Sequence, residues 1–317
     1  MAEKIIEAIE DFGLSKKNKG TTLFSKIGVI GCGKIGQKIA RDASAAGIEV
    51  VFIELSQEKI DDAFSSINVV LDEQIQHWGM TQGEKRAILS RIKGTVDYKD
   101  LEGCEFVIEA INAVDRGRRI ADRKDIFRKV EEVVDDKCII ATNSTTIVIT
   151  ELSSELEHKE RSVGLHFFIA SPEAKIVEVV SGLYTSDETY QKVKKFVKLL
   201  NHGVIPVEES AGLISVRIFT VMLNEACETL MEGVATLNDI DKTMCVGFGM
   251  RMGPFATADK IGLDKVVRWM ENMYTEFGDV KYKPSPIIKR LVRAKHYGIQ
   301  TGKGFFQYDE LGNMICE

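Results

Sequence analysis

Lys26-Ile-Gly-Val-Ile-Gly31-Cys-Gly33-Lys-Ile-Gly36 is a short apolar run that meets three glycines spaced G-x-G-x-x-G and continues into a helical pattern to about Ala46. The order strand, glycine turn, helix gives the spacing its meaning. Gly31 allows the tight turn, Gly33 lets backbone approach a pyrophosphate, and Gly36 lets the helix close on the strand. The N–H groups left free where the helix starts, at Lys34 and Ile35, are then available to an anion. A second apolar run, Ile48-Glu-Val-Val-Phe-Ile-Glu54, ends in an acid about 20 residues downstream, where a ribose hydroxyl is read. Glu54 repels a 2′-phosphate, and Leu55, Ser56 and Gln57 offer no arginine to receive one. The expected cofactor is NAD rather than NADP.

The alternation continues outward from this unit. Helical stretches run from about Gln57 to Gly79 and from Gln82 to Ile92, and further strands are expected at Cys104-Glu-Phe-Val-Ile-Glu109 and Lys137-Cys-Ile-Ile-Ala-Thr142. Strands alternating with helices predict an α/β fold with a doubly wound, mostly parallel (Rossmann) sheet. In such sheets ligands bind outside the carboxyl ends of the strands, which is where Asn143-Ser-Thr-Thr146 falls. Its hydroxyls either reach the ligand or, as Ser144 or Thr145, cap a helix.

Arg161-Ser-Val-Gly-Leu-His166-Phe-Phe168 and Lys175-Ile-Val-Glu178-Val-Val180 are two β-rich runs joined by a link containing Pro172. The short link lets His166 and Glu178 face each other. A neutral imidazole takes a proton near neutral pH, and a carboxylate on its far nitrogen fixes the tautomer and stabilises the imidazolium. A core histidine satisfied by an acid would read the same way.

After Val207-Glu-Glu-Ser-Ala-Gly212 the pattern turns helical almost to the end, predicting a second, smaller all-helical domain. The expected division is an extension over 1–25, a cofactor domain over 26–208 and a helical substrate and dimerisation domain over 209–317. Leu213 to Met231 is apolar around most of its circumference, as in a buried helix or one packed on a second copy in a homodimer. Asn238-Asp-Ile-Asp241 reads as a helix cap, Gly253-Pro254 as a break, and Thr301-Gly-Lys-Gly-Phe-Phe306 as a turn without the flanking elements of a phosphate loop.

The 317 residues are 44% hydrophobic and 28% charged, ordinary globular proportions, with a net charge of −6 that leaves no footprint for nucleic acid. No apolar run approaches the roughly 20 residues that span a bilayer. Residues 1–12 read as a short acidic amphipathic helix, not a signal or transit peptide, followed by a polar linker from Ser15 to Thr22, and a cytoplasmic location is expected. Cysteines 32, 104, 138, 227, 245 and 316 show neither CxxC spacing nor a histidine partner pattern, so no metal and no disulfide framework is expected.

In order and spacing these segments resemble the L-3-hydroxyacyl-CoA dehydrogenase family, which includes 3-hydroxybutyryl-CoA dehydrogenases. The likeness covers nearly all of Lys26 to Tyr308, through the glycine turn, Val107-Ile-Glu-Ala-Ile111, Asn143-Ser-Thr-Thr146, Gly164-Leu-His-Phe-Phe168, Lys175-Ile-Val-Glu-Val-Val180, Arg251-Met-Gly-Pro-Phe255 and Thr301-Gly-Lys-Gly-Phe305. The resemblance implies NAD-dependent, reversible oxidation of a short-chain 3-hydroxyacyl-CoA. It makes His166 the base, Glu178 its orienter and Thr145 the hydroxyl that bonds the reacting oxygen. It assigns Glu109, Ala110 and Asn143 to the cofactor alongside Gly31, Gly33, Lys34, Ile35, Gly36 and Glu54.

Departures concentrate on the substrate side. The family's catalytic asparagine falls on Val216 of Gly212-Leu-Ile-Ser-Val-Arg217, and its Asn-Pro-Val-Pro on Ile169-Ala-Ser-Pro172. Asn112-Ala-Val114 replaces Val-Glu-Asn, a few residues are added around Asp115 to Arg119, and Asn68-Val-Val70 lacks a basic residue often offered to coenzyme A. Arg116, Arg118, Arg119, Arg123 and Lys124 are the expected replacement contacts for the coenzyme A phosphates, unless the run is simply a solvated face. Two further readings stay open: a dehydrogenase of a non-CoA 3-hydroxy acid or sugar acid, and an NAD-binding relative with little catalysis.

Overall fold

The computed structural model describes residues 23–111, 119–168 and 174–315. The expected N-terminal helix, the polar linker, Asn112-Ala-Val114, Arg116, Arg118, Ile169-Ala-Ser-Pro172 and Cys316 lie outside them.

Among the described residues eight strands form one sheet in the order β3-β2-β1-β4-β5-β6-β7-β8. In chain order these are β1 (Lys26–Ile30), β2 (Glu49–Ile53), β3 (Ile92–Thr95), β4 (Phe106–Glu109), β5 (Ile139–Thr142), β6 (Ser162–Phe167), β7 (Ile176–Ser181) and β8 (Gly203–Glu208). The first six are parallel, while β7 turns back antiparallel to β6 and carries β8 alongside it. The strands β1, β4 and β5 are buried almost throughout because helices cover both faces, which is why they read as unbroken apolar runs. Strand order reverses between β1 and β4, so the crevice beyond their carboxyl ends is the ligand position of this architecture.

One face is covered by α1 (Lys34–Ala45), α2 (Gln57–Gln76), α3 (Gln82–Leu89) and α6 (Asp187–Leu199), the other by α4 (Arg119–Glu131) and α5 (Ile149–Ser153). The helix expected to reach Ile92 stops at Leu89, and Ile92-Lys-Gly-Thr95 is the edge strand β3. With Lys93 and Gly94 at its centre, β3 has no apolar alternation to announce it; pairing with β2 makes it a strand.

Beyond Gly212 the chain is helical: α7 (Ser215–Met231), α8 (Leu237–Lys242), α9 (Pro254–Ile261), α10 (Leu263–Phe277) and α11 (Pro286–Arg293). The cap of α8 is Thr236, whose hydroxyl accepts the Asp239 N–H, and not Asn238 as expected. Asp241 instead reaches across to accept the Phe255 and Ala256 N–H groups at the start of α9. The glycine turn after Gln300 is likewise structural. Buried Asp259 accepts from the N–H groups of Phe305 and Phe306 and from the Tyr308 hydroxyl. Burial pushes its carboxyl up to about 6, and a Cβ at Gly304 would fall 2.0 Å from it.

Candidate functional site

The glycine turn has the geometry its spacing requires. Gly31 has φ +87°, and a Cβ on Gly36 would lie 2.1 Å from the Gly31 carbonyl oxygen, so neither position accepts a side chain. Among the described residues nothing lies within 4 Å of a Cβ built on Gly33, which leaves that backbone open to an approaching ligand. At the end of β2, Glu54 accepts the Cys32 N–H at 2.6 Å and the Leu55 N–H at 3.2 Å. An acid is thereby held over the turn, and the cradle fits a dinucleotide: a helix N-terminus for the pyrophosphate and a carboxylate beside it for a ribose. Burial, with Glu54 nearby, pushes the Cys32 thiol up to about 12, so it is no nucleophile.

Antiparallel pairing sets His166 directly opposite Glu178. The two interact at 2.6 Å between Nδ1 and Oε2, with His166 4% and Glu178 2% exposed. A carboxylate only accepts, so Nδ1 carries the hydrogen and Nε2 is left as the basic nitrogen. Glu178 is also held from α7: its Oε1 accepts the Ile214 and Ser215 N–H groups, and Oε2 accepts the Ser215 hydroxyl at 2.9 Å. Burial works to raise this carboxyl, but the bonds from His166 and Ser215 outweigh it and hold it below the ordinary range. Glu178 is thus fixed as an anion.

Gly33, Lys34, Ile35, Ala110, Asn143, Thr145 and His166 line one cleft. Thr145 is buried, and its carbonyl accepts the Gly212 N–H, tying the loop after β5 to the turn that leads into the helical half. Asn143 Oδ1 accepts the Phe167 N–H, locking the ends of β5 and β6 together beside His166. Ser144 caps a turn by accepting the Ile147 N–H, whereas α5 has no side-chain cap.

Glu109 is placed differently from its expected part in the cleft. At 1% exposure its carboxylate accepts from Arg123, from the Thr142 hydroxyl and from the Ile111 N–H, so it shapes the cleft through the backbone of Ile111. Arg123, expected among the coenzyme A contacts, is committed to that buried pair, and Lys124 pairs with Glu151 and Glu155. The charge run is therefore divided between internal partners and residues that are not described. Val216 is buried with Ala211, Met273 and Tyr282 in an apolar cluster. An amide there would enter a hydrophobic environment, while Ser215, one position earlier, makes the polar contact to Glu178.

Sequence reasoning missed the opposite wall. Lys265, Arg268, Trp269 and Asn272 of α10 all face the cleft, and Asn272 Nδ2 donates to the Thr146 hydroxyl at 2.8 Å. The signal was present as polar residues at i, i+3 and i+7 with Trp269 at i+4, the spacing of one helix face.

Comparison with known proteins agrees with this geometry. Residues 26–210 match the family model described as 3-hydroxyacyl-CoA dehydrogenase, NAD binding domain, and residues 212–308 match its C-terminal domain. The 3-hydroxybutyryl-CoA dehydrogenase of Clostridioides difficile is 35% identical over 288 residues, covering 90% of this chain and all of that protein. The crystal structure of the (S)-3-hydroxybutyryl-CoA dehydrogenase of Ralstonia eutropha is similar at a TM-score of 0.83 with 34% identity, over 90% of this chain and 100% of that one. FadB2 of Mycobacterium tuberculosis is similar at a TM-score of 0.86 with 28% identity, over 90% and 99%. With both halves matched in order and the dinucleotide cradle in place in the first, the chain belongs to the 3-hydroxyacyl-CoA dehydrogenase family of NAD-dependent oxidoreductases.

Proposed function

We propose that the protein oxidises a short-chain L-3-hydroxyacyl-CoA, with 3-hydroxybutyryl-CoA as the type substrate, to the 3-oxoacyl-CoA, reversibly. The observation that carries this reading is the His166–Glu178 pair, buried and locked by Ser215, with the second imidazole nitrogen left for the cleft. His166 Nε2 takes the proton of the 3-hydroxyl as the C3–O bond becomes a carbonyl. Glu178 stabilises the imidazolium that results, and Thr145 donates to the reacting oxygen. Bound NAD supplies the acceptor for the hydride that leaves C3. In the reverse direction the imidazolium returns the proton to the nascent alkoxide.

Residues 26–208 act as the cofactor domain, with residues 1–25 as an extension before it, and residues 209–317 as the substrate and dimerisation domain. For the homodimer the support is Ile214, which precedes α7, and Ile218 in its first turn, 45% and 65% exposed. Among the described residues no helix is long and apolar enough to cross a membrane. The described cysteines are unpaired, which suits a reducing, cytoplasmic setting.

The test is NADH oxidation with acetoacetyl-CoA against free acetoacetate. Turnover with the thioester and little with the free acid is expected; the reverse order would make this a dehydrogenase of free hydroxy acids, and no turnover with either would point to a binding protein. The cofactor choice is checked by titrating NADH and NADPH. NADH should bind more tightly because Glu54 repels the 2′-phosphate, and Glu54→Ala should weaken NADH and narrow the gap. Equal affinity in the wild type would remove Glu54 from this role.

A further inference from the structure

Among the described residues the cleft is lined by the cations Lys34, Arg123, Lys265 and Arg268 and by no carboxylate, in a protein whose net charge is −6. Two of the four are answered internally. Arg123 pairs with Glu109, and Arg268 bonds Asp264, which also accepts from Gln300. Lys34 and Lys265 are different: among the described residues neither forms an ion pair, though one opens α1 on the cofactor half and the other lies on α10 of the helical half. The two are near enough that Lys34 adds to burial in holding the Lys265 ammonium below its ordinary pKa, against the pull of Asp264.

Two like charges facing each other across a partly desolvated cleft are unfavourable unless an anion sits between them. The α1 N-terminus, whose Gly33 cap makes no side-chain bond, presents its N–H groups at the same point. A dinucleotide carries two negative charges on its pyrophosphate, matching the two unanswered lysines in number and place. The Asn272–Thr146 bond holds α10 along the cleft, with its N-terminal end at the glycine turn and Asn272 at the catalytic loop.

We propose that Lys265 is a cofactor-binding residue contributed by the helical half, closing on the pyrophosphate opposite Lys34 and the α1 N-terminus. Dinucleotide binding then bridges the two halves before the substrate is engaged, because the charge that favours closure belongs to the cofactor. The inference rests on the dinucleotide reading of the cleft and deepens it.

The experiment measures Kd for NADH and for ADP-ribose, which has the pyrophosphate but no nicotinamide. Fluorescence is the readout, since Trp269 lines the cleft and the other tryptophan, Trp78, is fully exposed away from it. Lys265→Met should weaken both ligands by about 10- to 100-fold, the value of one charge-assisted contact, and should flatten the salt dependence of binding. Lys265→Arg should restore most of the affinity. Adenosine, which lacks phosphate, should bind both proteins alike, and unchanged thermal melting separates the effect from loss of fold. Unchanged Kd values with a raised KM for acetoacetyl-CoA would overturn the proposal and move Lys265 to the substrate. Failure of the wild type to bind NADH or ADP-ribose would instead overturn the dinucleotide reading itself.

Discussion

Replacing His166 by alanine is expected to lower turnover of acetoacetyl-CoA by about 10²- to 10⁴-fold, the usual worth of a general acid or base, while NADH affinity stays at the wild-type value. Both kcat and kcat/KM should fall together, because the imidazole acts in the transition state and contributes little to ground-state binding. Glu178→Gln tests the second half of the pair. It keeps the shape and leaves an acceptor for Ser215, but removes the negative charge that stabilises the imidazolium, so kcat should drop with little change in KM. Rapid-mixing measurement of the NADH absorbance on each variant separates the chemical step from cofactor binding. Wild-type rates in His166→Ala would return this residue to the core histidines, its bond to Glu178 then serving only to join β6 and β7.

The second large effect concerns two glycines with different parts in the turn, Gly33 and Gly36. In Gly36→Ala the new methyl meets the Gly31 carbonyl oxygen at 2.1 Å and Val29 Cγ1 at 3.3 Å, so the turn itself must move. Overpacking of this kind costs about 1–3 kcal/mol, and both melting temperature and NADH affinity should fall. In Gly33→Ala the methyl meets nothing among the described residues and the backbone, at φ −70° and ψ −168°, suits any residue. The fold should therefore keep its melting temperature while NADH affinity falls, because the methyl occupies the space through which the pyrophosphate approaches. Calorimetry and titration on the two variants give opposite patterns if Gly33 faces the ligand and Gly36 the strand. Intact binding in Gly33→Ala would place the pyrophosphate elsewhere.

These variants also show how unevenly the site was written along the chain. The acid at Glu54, the loop from Asn143 to Thr146 and the facing His166 and Glu178 all sit at ends or centres of strands whose apolar runs are plain. Their positions followed from counting along local elements. Ser215 is 37 residues from Glu178 and was invisible to that counting, although it supplies both a hydroxyl and an N–H to the carboxylate. The basic run near Arg123 was legible as charge but not as pairing, since only the fold brings Glu109 under it.

The glycine turn, the parallel alternation and the register that opposes His166 to Glu178 were legible in the chain, because each depends on short-range rules: φ sign at Gly31, apolar periodicity, and a short link between neighbouring strands. That Ile92–Thr95 joins the sheet, that Val216 belongs to an apolar cluster, and that Lys265 and Asn272 of α10 line the cleft came only from long-range packing. The Asn272–Thr146 contact joins residues 126 positions apart. Packing of the two halves about the turn at Gly212 brings them together, and over that separation no periodicity in the chain can report which side chains will meet.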